Sequence, residues 1–233
     1  MLNRMPSWGI IPIPCDNTDQ MSVCGVDEAG KGSVLGPMVT AGVLVVDPSE
    51  LDGLGMKDSK QLSPGRREEL YEIIVKRWKT AAVVKSPADI DSRPGTMNTF
   101  TASCHAEVIQ RLTPAKAYLD ACDVNAARFG TIVKSFSGLS NLEIVSEHKA
   151  DDKFLIVGAA SIVAKVTRDR LIEELSNEFG SVGSGYPSDP ATIAFLEEYV
   201  RRTGTPPSCA RRTWKTVDEV IARCSQQSLS DFF

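Results

Sequence analysis

Asp27 and Glu28 stand side by side in the run Asp27-Glu28-Ala29-Gly30-Lys31, directly after the apolar stretch Met21 to Val26. Adjacent carboxylates repel and raise one another's pKa, so a fold that keeps them together sets a cation beside them, most often a divalent metal. Gly30-Lys31-Gly32-Ser33 follows at once. Glycines there let backbone N–H groups come close to a ligand such as a phosphate. Two more acidic features occupy comparable places: Asp120 closes the apolar run Ala117-Tyr118-Leu119, and Asp151-Asp152 follow Glu147-His148-Lys149-Ala150 ahead of a helix-like segment. Functional side chains of open α/β sheets gather at strand ends, so Asp27, Glu28, Asp120 and Asp151 are expected to converge on one edge. With only His105 and His148 in the chain, such a set is a hard oxygen site. It suits one or two Mg²⁺ or Mn²⁺ ions rather than zinc, and it serves phosphoryl chemistry. The competing reading is that each is a turn acid, because Asp favours turns on its own account.

Gly25 to Lys31 almost spells the nucleotide-binding pattern G-x-x-x-x-G-K. Gly32 follows where a Ser or Thr would hold Mg²⁺. Asp27 and Glu28 would also aim negative charge into a loop built for phosphates, which counts against a nucleotide hydrolase.

The elements that must position these acids show in the patterning. Apolar, β-branched runs predict strands over 21–26, 38–47, 80–85, 115–119 and 141–146. Ser63-Pro64 is a helix start, since Ser caps and Pro fits the first turn, and that helix is expected to reach Trp78. Further helices are expected at 96–112, 125–136, 155–179, 190–203 and 213–225. Strands first, then alternation, then helices, points to a mixed α/β sheet with a helical C-terminal region. Residues 1–20, with their prolines and no periodicity, read as a flexible extension.

The chain has 233 residues, 42% hydrophobic and 24% charged, with a net charge of −4. A nucleic-acid binder is often basic, but a metal-dependent nuclease concentrates carboxylates in its own site. Basic residues cluster late: Arg201, Arg202, Arg211, Arg212, Lys215 and Arg223 face only Asp218 and Glu219, a local positive surface. None of the six cysteines has C-x-x-C spacing, which argues against zinc, and Cys24 and Cys122 are expected as reduced thiols in apolar strands. Pro12 and Pro14 interrupt the apolar residues near the start, and no stretch has membrane-spanning length. An intracellular, cytoplasmic setting is expected.

Six segments resemble the type 2 ribonucleases H, the ribonuclease HII family, in its archaeal and eukaryotic-like branch. They are G-V-D-E-A-G-K-G-S-V-L-G-P-M-V at 25–39, D-S-K-Q-L-S at 58–63, Y-L-D-A-C-D-V-N at 118–125, H-K-A-D-D at 148–152, A-A-S-I-V-A-K-V-T-R-D at 159–169 and G-S-G-Y-P-S-D-P at 183–190. They occur in the family's order and span roughly residues 22–215. The resemblance implies a ribonuclease H-like mixed five-stranded sheet flanked by helices, in a catalytic domain over 21–200 with a basic helical region over 201–225. It implies a monomeric, metal-dependent endoribonuclease that cuts RNA in RNA–DNA hybrids and single ribonucleotides embedded in duplex DNA. The cut falls 5′ of the ribonucleotide and leaves 3′-hydroxyl and 5′-phosphate ends. By the same likeness Asp27, Glu28, Asp120 and Asp151 are the catalytic, metal-holding acids, whereas Asp123 and Asp152 are not.

The family's glycine motif is usually Gly-Arg-Gly, and here it is Gly30-Lys31-Gly32. In the family its backbone reads the 2′-hydroxyl, the group that separates RNA from DNA locally. Backbone contacts survive Arg→Lys; a guanidinium fork does not. Tyr186 matches a tyrosine that stacks on the deoxyribose following the ribonucleotide, the alternative being a turn residue packed between Gly185 and Pro187. Lys60 and Lys165 fall where phosphate contacts are expected. Ser161 is equally a helix-packing residue. Val157-Gly158 departs from the Val-Ser of many relatives.

The C-terminus carries a separate signal. Gln226, Leu229, Phe232 and Phe233 fit Q-x-x-h-x-x-a-a, the motif by which replication proteins dock on a sliding clamp such as PCNA. Leu and two aromatics entering an apolar pocket make a typical anchor, so residues 226–233 are expected to bind a clamp. A helix end folded back on the core is the other reading. A non-catalytic clamp-associated nucleic-acid binder is the alternative to the nuclease, and the four acids argue against it.

Overall fold

A computed structural model describes residues 22–56 and 62–230, with side chains described as far as Gln226. Five strands form one mixed sheet in the order β3-β2-β1-β4-β5. They are β1 Val23–Ala29, β2 Met38–Val45, β3 Lys79–Lys85, β4 Lys116–Asp120 and β5 Glu143–Glu147. β1 and β2 pair antiparallel, as do β2 and β3, while β1–β4 and β4–β5 are parallel. The first three strands are a meander. The parallel pairs need crossovers, which helices supply.

The helices are α1 Pro64–Arg77, α2 Pro87–Asp91, α3 Met97–Leu112, α4 Ala126–Ser137, α5 Ala150–Lys153, α6 Leu155–Phe179, α7 Pro190–Thr203 and α8 Lys215–Ser230, with a 3-10 turn at Pro48–Leu51. Ser63 caps α1 by accepting from the Arg66 N–H, and Pro64 fills its first position, as the sequence predicts. Thr96, Asn125 and Asp189 cap α3, α4 and α7 in the same manner. α1 and α6 cover one face of the sheet, and α3 and α4 the other. α7 and α8 pack with Val34, Leu35 and the end of α6 into a third apolar cluster. Two glycines let the layers meet. A Cβ on Gly25 would lie 2.2 Å from the Ile156 carbonyl oxygen of α6, and one on Gly42 would lie 2.6 Å from Val108 of α3.

Several boundaries move. β1 is expected over 21–26 but runs to Ala29, because its antiparallel register with β2 holds through Ala29↔Val39. Asp27 and Glu28 therefore lie inside a strand rather than beyond one. The short α2, α5 and the 3-10 turn carry too few residues to show periodicity. α8 continues through Ser230 rather than stopping at 225. Residues 1–20, Lys60, Phe232 and Phe233 lie outside the described residues. No helix among the described residues is long and apolar enough to cross a membrane.

Candidate active site

The pleat of β1 decides where its two acids go. Side chains alternate between faces along a strand. Val23 and Ala29 belong to the α6-side core, and Cys24 and Val26 to the α3-side core. Asp27 thus faces α6, and Glu28 faces α3. The pleat sends the two adjacent carboxylates to opposite sides of the sheet, yet the charge of Glu28 still acts on Asp27.

Asp27 is 6% exposed. Burial pushes its carboxyl from 3.8 up to about 8, with the charge of Glu28 adding to the rise. The Ser161 hydroxyl of α6 and the Glu28 N–H, which donates to Asp27 Oδ1 at 2.7 Å, oppose the rise, while the charge of Asp120 adds to it. Asp120 shares this face. In β4, Ala117 and Leu119 belong to the α3-side core and Tyr118 to the α6-side core. Asp120 therefore points the way of Tyr118, one residue past the Val26↔Leu119 pair that aligns β4 with β1. Its Oδ1 accepts from the Ala150 N–H at 2.9 Å, which ties it to the first residue of α5. Asp151, the next residue, is buried. Gly158 makes room for that turn, since a Cβ there would stand 3.3 Å from the Asp151 carbonyl oxygen.

Glu28 is held by a residue the sequence reading passed over. Its Oε2 lies 2.8 Å from His105 Nε2. His105, in the middle of α3, is wholly buried and stands edge-on to the Phe129 ring, with centroids 5.2 Å apart. The available signal was a histidine in an otherwise apolar helix face of a chain with only two. Among the described residues, no three His, Cys, Asp or Glu side chains are gathered closely enough to hold a metal ion. The charge of Asp120 acts on Asp27, Asp151 is buried on α5 beside Ala150, which donates to Asp120, and Glu28 lies on the other face with His105. Asp123 is occupied structurally: it accepts from the Asn125 N–H at 3.0 Å and pairs with Arg128.

Beyond β1 the chain turns at Gly30, where φ is 82° and a Cβ would lie 2.3 Å from Arg168 Nε. The Gly30 N–H donates to Tyr186 Oη at 3.1 Å, and the Arg168 guanidinium covers the Tyr186 ring at 4.7 Å. Tyr186 is thus hydrogen-bonded to the glycine loop. The Lys31 ammonium turns inward, donating to Asn98 Oδ1 at 2.7 Å and to the Cys122 carbonyl at 2.9 Å. Gly32 is exposed, with open space where its side chain would be. Lys165 is half-buried on α6, one turn beyond Ser161.

Arg211, expected on a positive surface, is fully buried instead. It donates to the carbonyls of Gly30 (2.6 Å), Lys31 (2.9 Å) and Gly36 (3.1 Å). Cys24 is a buried free thiol as expected, and Cys122 is only half-buried.

A family model described as Ribonuclease HII matches residues 24–217. The chain belongs to the ribonuclease HII family. It is accordingly an endoribonuclease of RNA–DNA hybrids, a phosphodiester hydrolase. A ribonuclease HII of Methanocorpusculum labreanum is 64% identical over 213 residues, covering 91% of this chain and 100% of that protein. The crystal structure of the ribonuclease H2 from Pyrococcus horikoshii OT3 superposes with a TM-score of 0.82 at 42% identity, over 88% of this chain and 100% of the other. The structure of the PCNA:RNase HII complex from Archaeoglobus fulgidus matches with a TM-score of 0.78 at 48% identity, over 83% of this chain and 95% of that one. The mixed sheet and its flanking helices are those of the family, as the six motifs imply.

Proposed function

We propose that this ribonuclease HII cuts on the 5′ side of ribonucleotides, in hybrids and singly embedded in duplex DNA, leaving 3′-hydroxyl and 5′-phosphate ends, and that Asp27, Glu28, Asp120 and Asp151 hold the divalent ions it needs. The observation that carries the reading is the Asp27 carboxyl, buried on β1 and facing the same side of the sheet as Asp120 on the adjacent strand β4, with its pKa raised by burial and by the charges of Glu28 and Asp120. Carboxylates held together at such cost fit a hard cation, which would relieve the repulsion and keep Asp27 ionised at neutral pH. Asp27 and Asp120 face the same side of adjacent strands, and Asp151 and Glu28 are the further proposed donors. When bound, Mg²⁺ or Mn²⁺ supplies Lewis acidity at the attacking water and at the leaving 3′-oxygen.

The remaining work falls to the chain's own groups. Asp120 is aligned by the Ala150 N–H, and Glu28 is oriented by His105. The glycine loop offers backbone donors to the 2′-hydroxyl, and Tyr186, fixed by Gly30, offers its ring to the neighbouring deoxyribose. Lys165 and Lys60 are proposed phosphate contacts. Lys31 contributes through its backbone, since its ammonium is committed to Asn98 and Cys122.

A duplex with one embedded ribonucleotide, incubated with EDTA, Mg²⁺ or Mn²⁺ and mapped at the cut, tests the reading. Cleavage confined to the metal-containing reactions and to the 5′ side of the ribonucleotide is expected. Asp120→Asn should lower turnover by about 10²-fold or more with binding retained, and near-normal turnover would refute the assignment.

We further propose that Gln226, Leu229, Phe232 and Phe233 dock on a PCNA-type clamp. The motif, and the solved complex of a 48% identical relative with PCNA, support this. Phe232→Ala with Phe233→Ala should remove clamp binding and leave cleavage of free hybrid intact; undiminished binding would exclude the docking role.

A further inference from the structure

Each of the three nitrogens of the Arg211 guanidinium donates to a carbonyl oxygen, that of Gly36, Lys31 or Gly30. In a planar trans peptide the C=O and the N–H point in opposite directions. The Gly30 carbonyl shares its peptide with the Lys31 N–H, and the Lys31 carbonyl shares its peptide with the Gly32 N–H. The Gly30 carbonyl, which also accepts from the Ser33 hydroxyl at 2.9 Å, and the Lys31 carbonyl both point onto Arg211, so both N–H groups point away from the C-terminal region. No described residue accepts a hydrogen bond from either of them. The Gly30 N–H, by contrast, is already taken by Tyr186 Oη. Gly32 faces open space, with nothing within 4 Å of a Cβ position. A cation on the carbonyl side of two peptides also polarises them, and charge-assisted hydrogen bonds are the stronger ones.

We infer that Arg211 is a positioning residue for 2′-hydroxyl recognition: it holds the loop from behind and presents the Lys31 and Gly32 amides as a pair of donors to the substrate oxygen. The inference rests on the ribonucleotide-cutting reading above, and it assigns to the C-terminal region a part in choosing the cut site. The bridge Leu35↔Ala210 and the Arg211 N–H donating to the Val34 carbonyl at 2.9 Å lock Arg211 onto the loop's far end. The position is therefore set by backbone as well as by the side chain.

Full-length wild type, Arg211→Gln and Arg211→Lys are compared by single-turnover cleavage of a duplex with one ribonucleotide, by affinity for the same duplex made wholly of DNA, and by the amide NMR signals of Lys31 and Gly32. The Gln variant should lose about 10²-fold in cleavage, the scale for a donor misplaced by about 1 Å. Its affinity for the all-DNA duplex, set by phosphate contacts, should change less than about 2-fold. The two amide signals should shift. Lysine keeps the charge but not the fork, so that variant should recover part of the loss. Equal losses on both duplexes, or unchanged cleavage, would overturn the inference. Should the Gln variant fail to fold, the Lys variant alone decides by the same ratio. A wild type that does not cut at the ribonucleotide would refute the functional reading instead, while the amide signals still report whether Arg211 orients the loop.

Discussion

Asp27→Asn should make the metal-free protein more stable at alkaline pH even as it abolishes activity. In the folded chain this carboxyl rises from 3.8 to about 8, through burial first and the Glu28 charge second. A raised acid pKa means the folded state holds its proton longer than the unfolded state. The stability that proton provides is whole below about pH 4 and is lost as pH climbs through the interval to about 8, the direction linkage requires. At about 1.36 kcal/mol per pH unit the full span is worth roughly 5 kcal/mol. Side-chain relaxation and water entry on ionisation return part of this, leaving about 2–3 kcal/mol. Asparagine keeps the shape and the acceptor for the Glu28 N–H but has no charge to bury. The gap between variant and wild type should open from about pH 4 and level off near pH 8. Above that the variant should melt about 5–10 °C higher, given about 2–4 °C per kcal/mol for a chain of this size. Calorimetry in EDTA at pH 5 and pH 9 reads it, and adding Mg²⁺ at pH 9 should raise the wild type more than the variant. A constant gap across pH, or a variant less stable at pH 9, would refute the idea that the acids are held against their own repulsion.

Three further changes probe the scaffold. His105→Ala removes the partner of Glu28 Oε2 and hollows the site beside Phe129; it should cost about 2–4 kcal/mol in urea unfolding and lower turnover more than substrate affinity. Gly25→Ala would drive a methyl group to within 2.2 Å of the Ile156 carbonyl oxygen, so it should destabilise by more than about 3 kcal/mol and yield little folded protein, whereas Gly32→Ala, set in open space, should fold normally.

Local chemistry was legible in the sequence because it acts over a few residues. Ser63-Pro64 starts α1, the span expected for α6 is the span observed, and α4 runs one residue past its expected limit, to Ser137, where Gly138 ends it in a left-handed conformation. The acidic motifs too were plain as residue types at strand ends. What the residues could not say was which face each side chain would take. That depends on where pairing with β2 and β4 stops, and β1 runs on through Asp27 and Glu28 because β2 continues opposite it. His105 meets Glu28 across 77 positions of chain, and Arg211 meets Gly30 across 181. Neither contact leaves a periodicity or a motif, because each is made only when helices and sheet close on one another. Arginine in a basic stretch reads as surface. Only the packed structure supplies the carbonyls that let this one be buried, and with them the direction in which the glycine loop points its donors.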